Sequence, residues 1–177
     1  MLAVAACADG AEETGAAGAA GPPSTASTTT VATSTTLAAS TTTPASPLVE
    51  FPTAEITVGG RAWTVAVAAT DDLRFRGLRG VDDLGVLDGM LFVFPDDTIA
   101  AFTMRGTLMP IDIAFFDAGG RLVDRLQMVP CEEEPCPSSR SSGSFRYALE
   151  TEAGGFGGLD LVLDPEDVEE AGPPAEG

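Results

Sequence analysis

Between residues 54 and 163 the apolar residues of this chain occur in short runs, most of them closed by a turn of glycine, proline or aspartate. Such runs are typical of β-strands, whereas a packed helix needs an apolar stripe recurring every three to four residues over roughly ten or more. The sequence contains no long stripe of that kind and no internal repeat. It therefore predicts a mainly β fold: a single compact β-sandwich or barrel-like domain of about eight short strands with one or two short helices.

The expected elements follow from the positions of the turn residues. The Gly59–Gly60 pair predicts a hairpin turn, and Thr70 is a good N-cap for a short helix that continues to about Leu78. The predicted strands are Ala54–Val58, Arg61–Ala68, Gly89–Phe94, Ile99–Met104, Ile111–Phe116, Arg121–Val129, Ser144–Glu150 and Leu159–Leu163.

The N-terminal segment differs in composition from the rest. It begins MLAVAAC, which resembles the end of a bacterial lipoprotein signal, whose cysteine is lipidated after cleavage. No residue between 14 and 49 is charged, and such Ala/Thr/Ser/Pro-rich sequence cannot bury enough apolar surface to offset the entropy of ordering. An ordinary apolar N-terminus and a leader without a role are the alternatives. The predicted organisation is a truncated signal at 1–7 with lipid on Cys7, a disordered stalk at 8–50, the β domain at 51–163 and an acidic disordered tail at 164–177.

The residue types that are missing restrict the chemistry. The chain has no histidine and no lysine, and its formal net charge is −18. These absences exclude Ser-His-Asp and Cys-His nucleophiles, Schiff-base chemistry and a phosphate-loop lysine. The acidic balance is unfavourable for a polyanion. We therefore expect a monomer that binds no nucleic acid and no cofactor, and an enzymatic activity is disfavoured.

Two cysteines remain if Cys7 carries a lipid. Cys131 and Cys136 lie in the sequence CEEEPC, and the pair predicts a structural disulfide of the kind that persists in oxidising compartments. A metal or redox role and a pair of free thiols are the alternatives. Without histidine the two thiols form a poor zinc site, and the spacing is not the C-x-x-C of redox proteins. No metal site is predicted.

Asp112 interrupts an otherwise apolar strand and is the most unusual acid in the chain. A carboxylate between apolar neighbours is expected to be buried, and a buried charge requires a partner. Arg105 is the nearest candidate, so one interpretation is that Asp112 fixes the loop 104–110 through Arg105 or backbone amides. A second is that Arg105 and Asp112, with Met104 and Thr107, bind a small polar ligand. A third, acid–base catalysis, requires a second carboxylate, and no residue is predicted to be catalytic.

Two further charged clusters have a functional and a plain interpretation. Arg76 and Arg79, near the end of the predicted helix, form either an anion site or an exposed basic face. The glutamates at 132–134 form either a Ca²⁺ site or a solvated turn. The plain interpretation is favoured for both.

Five segments occur together in an order and spacing that resemble a known family. They are RGLRG at 76–80, GMLFVF at 89–94, FTMRGTLMPIDIAFFDAGGRLVD at 102–124, PCEEEPCP at 130–137 and RYALE at 146–150. They resemble the bacterial and archaeal family called domain of unknown function (DUF) 192, over about residues 54 to 163. The resemblance implies a compact β-rich domain, often exported, with no established activity and no catalytic residues. This chain departs from the family at Thr103, where Trp is common, and at Gly106, where Asn is common.

These observations lead to one preferred function and two alternatives. The preferred function is a non-enzymatic binding or accessory module, extracytoplasmic and anchored to the cell membrane by lipidated Cys7. Its partner would be a small molecule or a component of the envelope. The first alternative is a carboxylate-based hydrolase that acts on cell-envelope carbohydrate, and the second is a purely structural envelope protein.

Overall fold

The structure, a computed structural model, describes residues 47–171. Cys7 and most of the predicted stalk lie outside the described residues, so the predictions of a lipid anchor and of disorder in that segment stay predictions. The elements, in chain order, are a 3-10 helix at Pro47–Glu50, β1 (Thr53–Val58), β2 (Arg61–Ala68), α1 (Asp71–Arg76), β3 (Gly89–Thr98), β4 (Phe102–Thr103), β5 (Ile111–Phe116), β6 (Leu122–Met128), β7 (Ser138–Ser139), β8 (Phe145–Glu152) and α2 (Pro165–Ala171).

Six of these strands form one mixed sheet in the order β1-β2-β3-β8-β5-β6. Strands β2 and β3 are parallel, and every other neighbouring pair is antiparallel. Strands β4 and β7 form a separate two-stranded sheet. The predicted fold class is confirmed: the described residues form a mainly β domain with eight strands and two short α-helices, and their strands do not close into a barrel.

The large sheet is covered on both faces. One face packs a cluster that includes Met90, Phe92 and Phe115, and the other packs a cluster that includes Trp63 and Phe116. All six residues of β5 are therefore buried. Strands of this kind read as nearly continuous apolar runs and not as alternating ones, because neither face meets water.

Two local predictions are confirmed in detail. Strands β1 and β2 pair as a hairpin around Gly59 and Gly60, as predicted. The side chain of Thr70 caps α1 by accepting a hydrogen bond from the backbone N–H of Leu73 at 3.3 Å. The helix ends at Gly77, whose φ of 49° favours glycine and whose N–H donates to the Leu73 carbonyl at 2.9 Å.

Two predicted strands are wrong, and one strand was missed. The strand expected at 99–104 is reduced to the two residues of β4. The segment 159–163 makes only isolated bridges, of Val162 to Arg121 and of Leu163 to Val58. The missed strand, β7, lies between the predicted strands at 121–129 and 144–150. All three errors concern short segments, whose pairing depends on distant residues and not on their own sequence pattern.

The limits of the ordered domain also need correction. Leu48, in the predicted stalk, is buried in the core. Residues 165–171 of the predicted disordered tail form the helix α2, in which Val168 is buried. The carboxylate of Asp167 in this helix accepts a hydrogen bond from the backbone N–H of Thr57 at 2.7 Å. Helix α2 is thus part of the domain, held by one buried side chain and one hydrogen bond to β1.

Neither of the two α-helices within residues 47–171 is long and apolar enough to cross a bilayer.

Candidate functional site

Asp112 is buried, as the sequence predicted, but Arg105 is not its partner. Its side chain is 5 % exposed. One carboxylate oxygen accepts hydrogen bonds from the Arg125 guanidinium at 2.9 Å and from the Gly154 N–H at 3.0 Å, and the other accepts from the Gln127 amide at 3.2 Å. Three donors satisfy the charge. Asp112 therefore joins β5 to β6 and to the turn after β8, which is a structural role.

Arg105 lies outside this network. Its guanidinium donates to the Glu134 carboxylate at 2.7 Å, and both side chains are more than half exposed. This hydrogen bond lowers the pKa of Glu134. The predicted disulfide is present between Cys131 and Cys136, with a Cα–Cα distance of 5.6 Å. The ion pair therefore links the loop 104–110 to the disulfide loop at the protein surface.

Removal of the disulfide tests how far this loop contributes to stability. Replacing Cys131 and Cys136 together by serine is expected to lower the free energy of unfolding by about 2 kcal/mol, because the cross-link restricts the unfolded chain. Urea unfolding of the two proteins measures the loss, and wild type in excess reductant should show the same loss. An unchanged midpoint in both experiments would contradict the prediction.

The four predicted ligand residues do not come together. Met104 is buried in the apolar core, Arg105 is exposed, and Asp112 is on the other face of the sheet. Thr107 is the exception, because it lines a cavity that the sequence did not predict.

This cavity is the candidate site. It has a volume of about 360 Å³ and lies between α1, the end of β3 and the segment leading into the 104–110 loop. Four phenylalanines belong to its wall, and the remaining lining residues come from four short segments. The lining comprises Phe92, Phe94 and Phe102 with Arg74, Phe75, Arg76, Gly77, Leu78, Arg79, Ala100, Ala101, Thr103, Thr107 and Glu150.

Glu150 provides the one carboxyl group of this lining. It is opposite Met90 of β3 and Ile113 of β5 in the centre of the sheet, and it is 5 % exposed. No side-chain hydrogen bond or ion pair to Glu150 occurs within residues 47–171. Burial raises its pKa to about 8. The carboxyl group is therefore mainly protonated at neutral pH, when it can both donate and accept a hydrogen bond.

The three arginines at the cavity differ in their partners. Arg74 donates to the Ala69 and Val93 carbonyls, at 2.6 Å each, and pairs with Asp71 at 2.6 Å. These bonds hold its guanidinium against the protein.

Arg76 pairs with Glu50. Arg79 forms no ion pair in the described part of the chain, and its guanidinium lies over the exposed ring of Phe75 at 4.6 Å. The carboxylate of Glu134, which pairs with Arg105, is near enough to interact with Arg79 electrostatically. Arg79 is thus the cavity arginine whose charge is not compensated by an ion pair.

Two backbone hydrogen bonds hold the segment with Arg79 against the 104–110 loop. The Gly80 N–H donates to the Gly106 carbonyl at 2.7 Å, and the Leu108 N–H donates to the Val81 carbonyl at 3.1 Å. Gly106 has a φ of 75° and packs near the Arg79 stem, where a Cβ would be 3.7 Å from the Cβ of Arg79. A side chain at position 106 would therefore make an ordinary contact with Arg79, and it is the positive φ that favours glycine there.

The sequence interpretation missed Glu150 and gave Arg79 a lesser role. The signal in the sequence is Glu150 itself, an acid at the end of RYALE, in a predicted strand that has apolar residues on both faces. Nothing in the neighbouring sequence indicates which face of this strand meets a cavity. For Arg79 and Arg76 the sequence favours an exposed basic face over an anion site.

Two other features are less suited to a site. No group of three or more acidic or cysteine side chains in residues 47–171 is arranged to hold a metal ion. A larger hollow of about 580 Å³ lies between the 3-10 helix and the loop 82–87. Its lining is mainly aliphatic, and its two acids, Asp82 and Asp83, are exposed. It has no buried polar group to orient a ligand.

Comparison with known proteins gives a family and a shared fold. The model of the DUF192 family, described as an uncharacterized ACR, matches residues 54–165. A solved structure of a proposed transcription regulator from Sinorhizobium meliloti is 24% identical with a TM-score of 0.56, covering 66% of this chain and 95% of that one. A protein of unknown function from Novosphingobium aromaticivorans is 24% identical with a TM-score of 0.58, covering 67% and 87%. At this identity the two structures show the fold alone. None of the curated proteins matches the chain.

Proposed function

This chain belongs to the DUF192 family, and we propose that it is a non-enzymatic binding module whose site is the cavity at Glu150. The observation that carries the proposal is a glutamate that is 5 % exposed, whose carboxyl group has no hydrogen-bonding partner in the described residues and opens onto the cavity. Buried polar groups in folded proteins are nearly always hydrogen-bonded. A bound ligand would supply the missing partner.

The remaining wall supports the same proposal. Pockets for small molecules are mostly apolar with a few polar groups that fix orientation, and about 300 Å³ is sufficient for a small ligand. Here Phe92, Phe94 and Phe102 supply the apolar surface. The hydroxyl of Thr107, a residue that is 7 % exposed, likewise has no partner in the described chain. Two unpartnered polar groups within an aromatic wall favour binding over a purely structural role.

The composition of the lining favours binding over hydrolysis. A glycosidase of the usual kind requires a second carboxylate on the other side of the scissile bond. Glu150 is the one acid among the residues that line the cavity. The carboxylate hydrolase therefore lacks its second group in this cavity, and we do not propose it.

A role in DNA binding is not proposed either. One similar structure is named as a proposed transcription regulator, and that name applies to that protein. In this chain nine arginines stand against 27 acids. Six of those arginines are in ion pairs. Binding to a phosphate backbone requires clustered basic residues that are free to replace counterions.

We also propose that the module acts outside the cytoplasm, anchored to the cell membrane through lipidated Cys7. Two observations support this location. The first seven residues resemble the end of a lipoprotein signal, and disulfides such as Cys131–Cys136 persist in oxidising compartments. Fractionation of cells that express the natural gene tests this proposal. Recovery in the soluble fraction after export would contradict the anchor.

Binding in the cavity can be tested without knowing the ligand. The full-length chain, labelled with ¹⁵N, is titrated with a library of small aromatic acids, amides and amines. We expect some compounds to shift the amide signals of Gly77, Leu78 and Thr103. Thr103→Trp should abolish these shifts, because Thr103 is an exposed residue of the cavity wall and an indole there would fill the opening.

Val129→Trp is the matched control, since Val129 is also exposed and does not line the cavity. It should bind as wild type does. The proposal fails if no compound shifts these signals, or if Thr103→Trp leaves the shifts unchanged.

A further inference from the structure

We infer that the cavity selects a small organic monoanion, with its acidic group held between the Arg79 guanidinium and the Glu150 carboxyl and its apolar body on the phenylalanine wall. This inference rests on the proposed function and adds the chemical class of the ligand. It depends on the balance of charges at the cavity, on the protonation of Glu150 and on the shape of the wall.

The balance of charges leaves one positive charge. Arg74 is compensated by Asp71 and Arg76 by Glu50. Arg79 forms no ion pair within residues 47–171, and the nearby carboxylate of Glu134 is shared with Arg105, its ion-pair partner. The four arginines at positions 74, 76, 79 and 105 thus stand against three acids, Asp71, Glu50 and Glu134, which leaves one positive charge. The whole chain carries a formal charge of −18. In so acidic a protein this excess is a specific feature and not part of a general basic surface. One charge matches a monoanion, and a dianion would bring one negative charge in excess.

The charged groups that line the cavity together with Glu150 are three arginines, and burial alone raises the pKa of Glu150. The helix α1 and the residues after it contribute Arg74, Arg76 and Arg79, and the wall residues from β3, Phe92 and Phe94, are uncharged. The segment 100–107 contributes hydroxyl groups but no charge to the wall. A protonated carboxyl group in this environment can donate a hydrogen bond to an anion. An ionised one would repel the same anion, so binding requires the neutral form.

The shape of the wall indicates the rest of the ligand. Phe92 and Phe102 pack edge to face with ring centroids 5.2 Å apart, and both are buried in the core. Phe94 faces the same cavity. Rings fixed in this way offer an apolar surface of constant shape, which favours an aromatic or branched aliphatic body of limited size. The class is therefore an acid with a compact apolar body, such as an aryl or branched alkyl carboxylate.

A matched set of three probes tests the charge. Phenylacetate, phenylacetamide and phenethylamine share the same ring and differ in charge. Titration of the full-length chain at pH 6.5, followed through the amide signals of the cavity, gives the three affinities. We expect the acid to bind at least about tenfold more tightly than the amide, which corresponds to ~1.4 kcal/mol, and the amine to bind least.

Variants separate the contribution of Arg79 from a general charge effect. Arg79→Gln should reduce the affinity for phenylacetate by about tenfold and change that for phenylacetamide little, because it removes the unpaired cation. Arg121→Gln is the matched control, since Arg121 is exposed and does not line the cavity. It should change neither affinity. Melting curves of both variants establish that they are folded.

The dependence on pH tests Glu150. Raising the pH from 6.5 to 9.5 should weaken phenylacetate binding to wild type, because Glu150 ionises with a pKa near 8. Glu150→Gln keeps a neutral donor and should bind the acid equally well at both pH values. The inference of a monoanionic ligand is overturned if the acid and the amide bind equally well, or if wild type and Arg79→Gln have equal affinity for the acid. Either result leaves the proposed function intact. If no acid, amide or amine of the library binds in the cavity, the proposed function fails as well.

Discussion

Glu150→Gln is expected to stabilise the folded chain at neutral and alkaline pH and to leave it unchanged near pH 4. The wild-type carboxyl group titrates with a pKa of about 8 in the folded chain because it is buried, against 4.5 as its ordinary value. The gain in the free energy of unfolding should grow by about 1.4 kcal/mol for each pH unit between these two values. The total is several kcal/mol.

The direction of the effect follows from the protons bound in each state. Between pH 4.5 and about 8 the folded state holds a proton on Glu150 that the unfolded state has released. Raising the pH therefore favours the unfolded state. The stability associated with the raised pKa is fully present below pH 4.5 and is lost as the pH rises through about 8. Glutamine has no proton to lose, so the variant escapes this loss.

Urea unfolding of wild type and Glu150→Gln at pH 4, 6, 7 and 9 measures the difference at each pH. Because both proteins share all the other acids, the contribution of those acids to the pH dependence cancels in the difference between the two free energies of unfolding. Glu152→Gln, at the exposed end of the same strand, is the matched control and should change stability by less than about 0.5 kcal/mol. A constant difference between wild type and Glu150→Gln across this range would mean that the carboxyl group is hydrated in the folded chain.

Those parts of the fold that depend on local signals could be predicted from the sequence. The Gly59–Gly60 turn, the Thr70 cap and the apolar run of β5 each depend on residues close in the chain, and each was found at the predicted place. The strands at 99–104 and 159–163 were wrong because a short segment becomes a strand only when a distant segment pairs with it. Helix α2 was missed because an acidic segment gives no sign of a single buried valine.

The partner of Asp112 was within reach of the sequence. With residues 117–120 as the turn between β5 and β6, a regular hairpin places Arg125 opposite Asp112. The bulge between Phe115 and Phe116 shifts the register, so that Gln127 is directly opposite Asp112 and Arg125 lies two residues away on the same strand. Cross-strand neighbours of this kind interact. The preference for Arg105, seven positions upstream, relied on distance along the chain and ignored the register.

The site itself could not be predicted in this way. The cavity at Glu150 is assembled from α1, β3, the 100–107 segment and β8, which are far apart in sequence. The strand β8 is buried on both faces, so its pattern does not distinguish a core position from a cavity position. Glu150 differs from an ordinary strand acid only through the tertiary structure around it.

Asp112→Ala is expected to lower the free energy of unfolding by about 3 kcal/mol, the lower end of the loss found when one member of a buried ion pair is removed. The change leaves the Gly154 N–H and the Gln127 amide without their acceptor, and each lost partner adds a desolvation cost. Arg125 retains access to solvent, since its side chain is 36 % exposed, which limits the loss. Asp112→Asn keeps an acceptor oxygen and should cost less.

Arg105→Ala is the discriminating comparison, because it removes the partner that the sequence suggested. Its ion pair with Glu134 is exposed and should contribute less than about 1 kcal/mol. Equal losses for Asp112→Ala and Arg105→Ala in urea unfolding would contradict the observed pairing. Asp112 shares its face of the sheet with Ala114 and Phe116, opposite the face that bears the cavity. Folded Asp112→Asn should therefore bind the phenylacetate probe as wild type does, whereas lost binding with unchanged melting would return Asp112 to the ligand site.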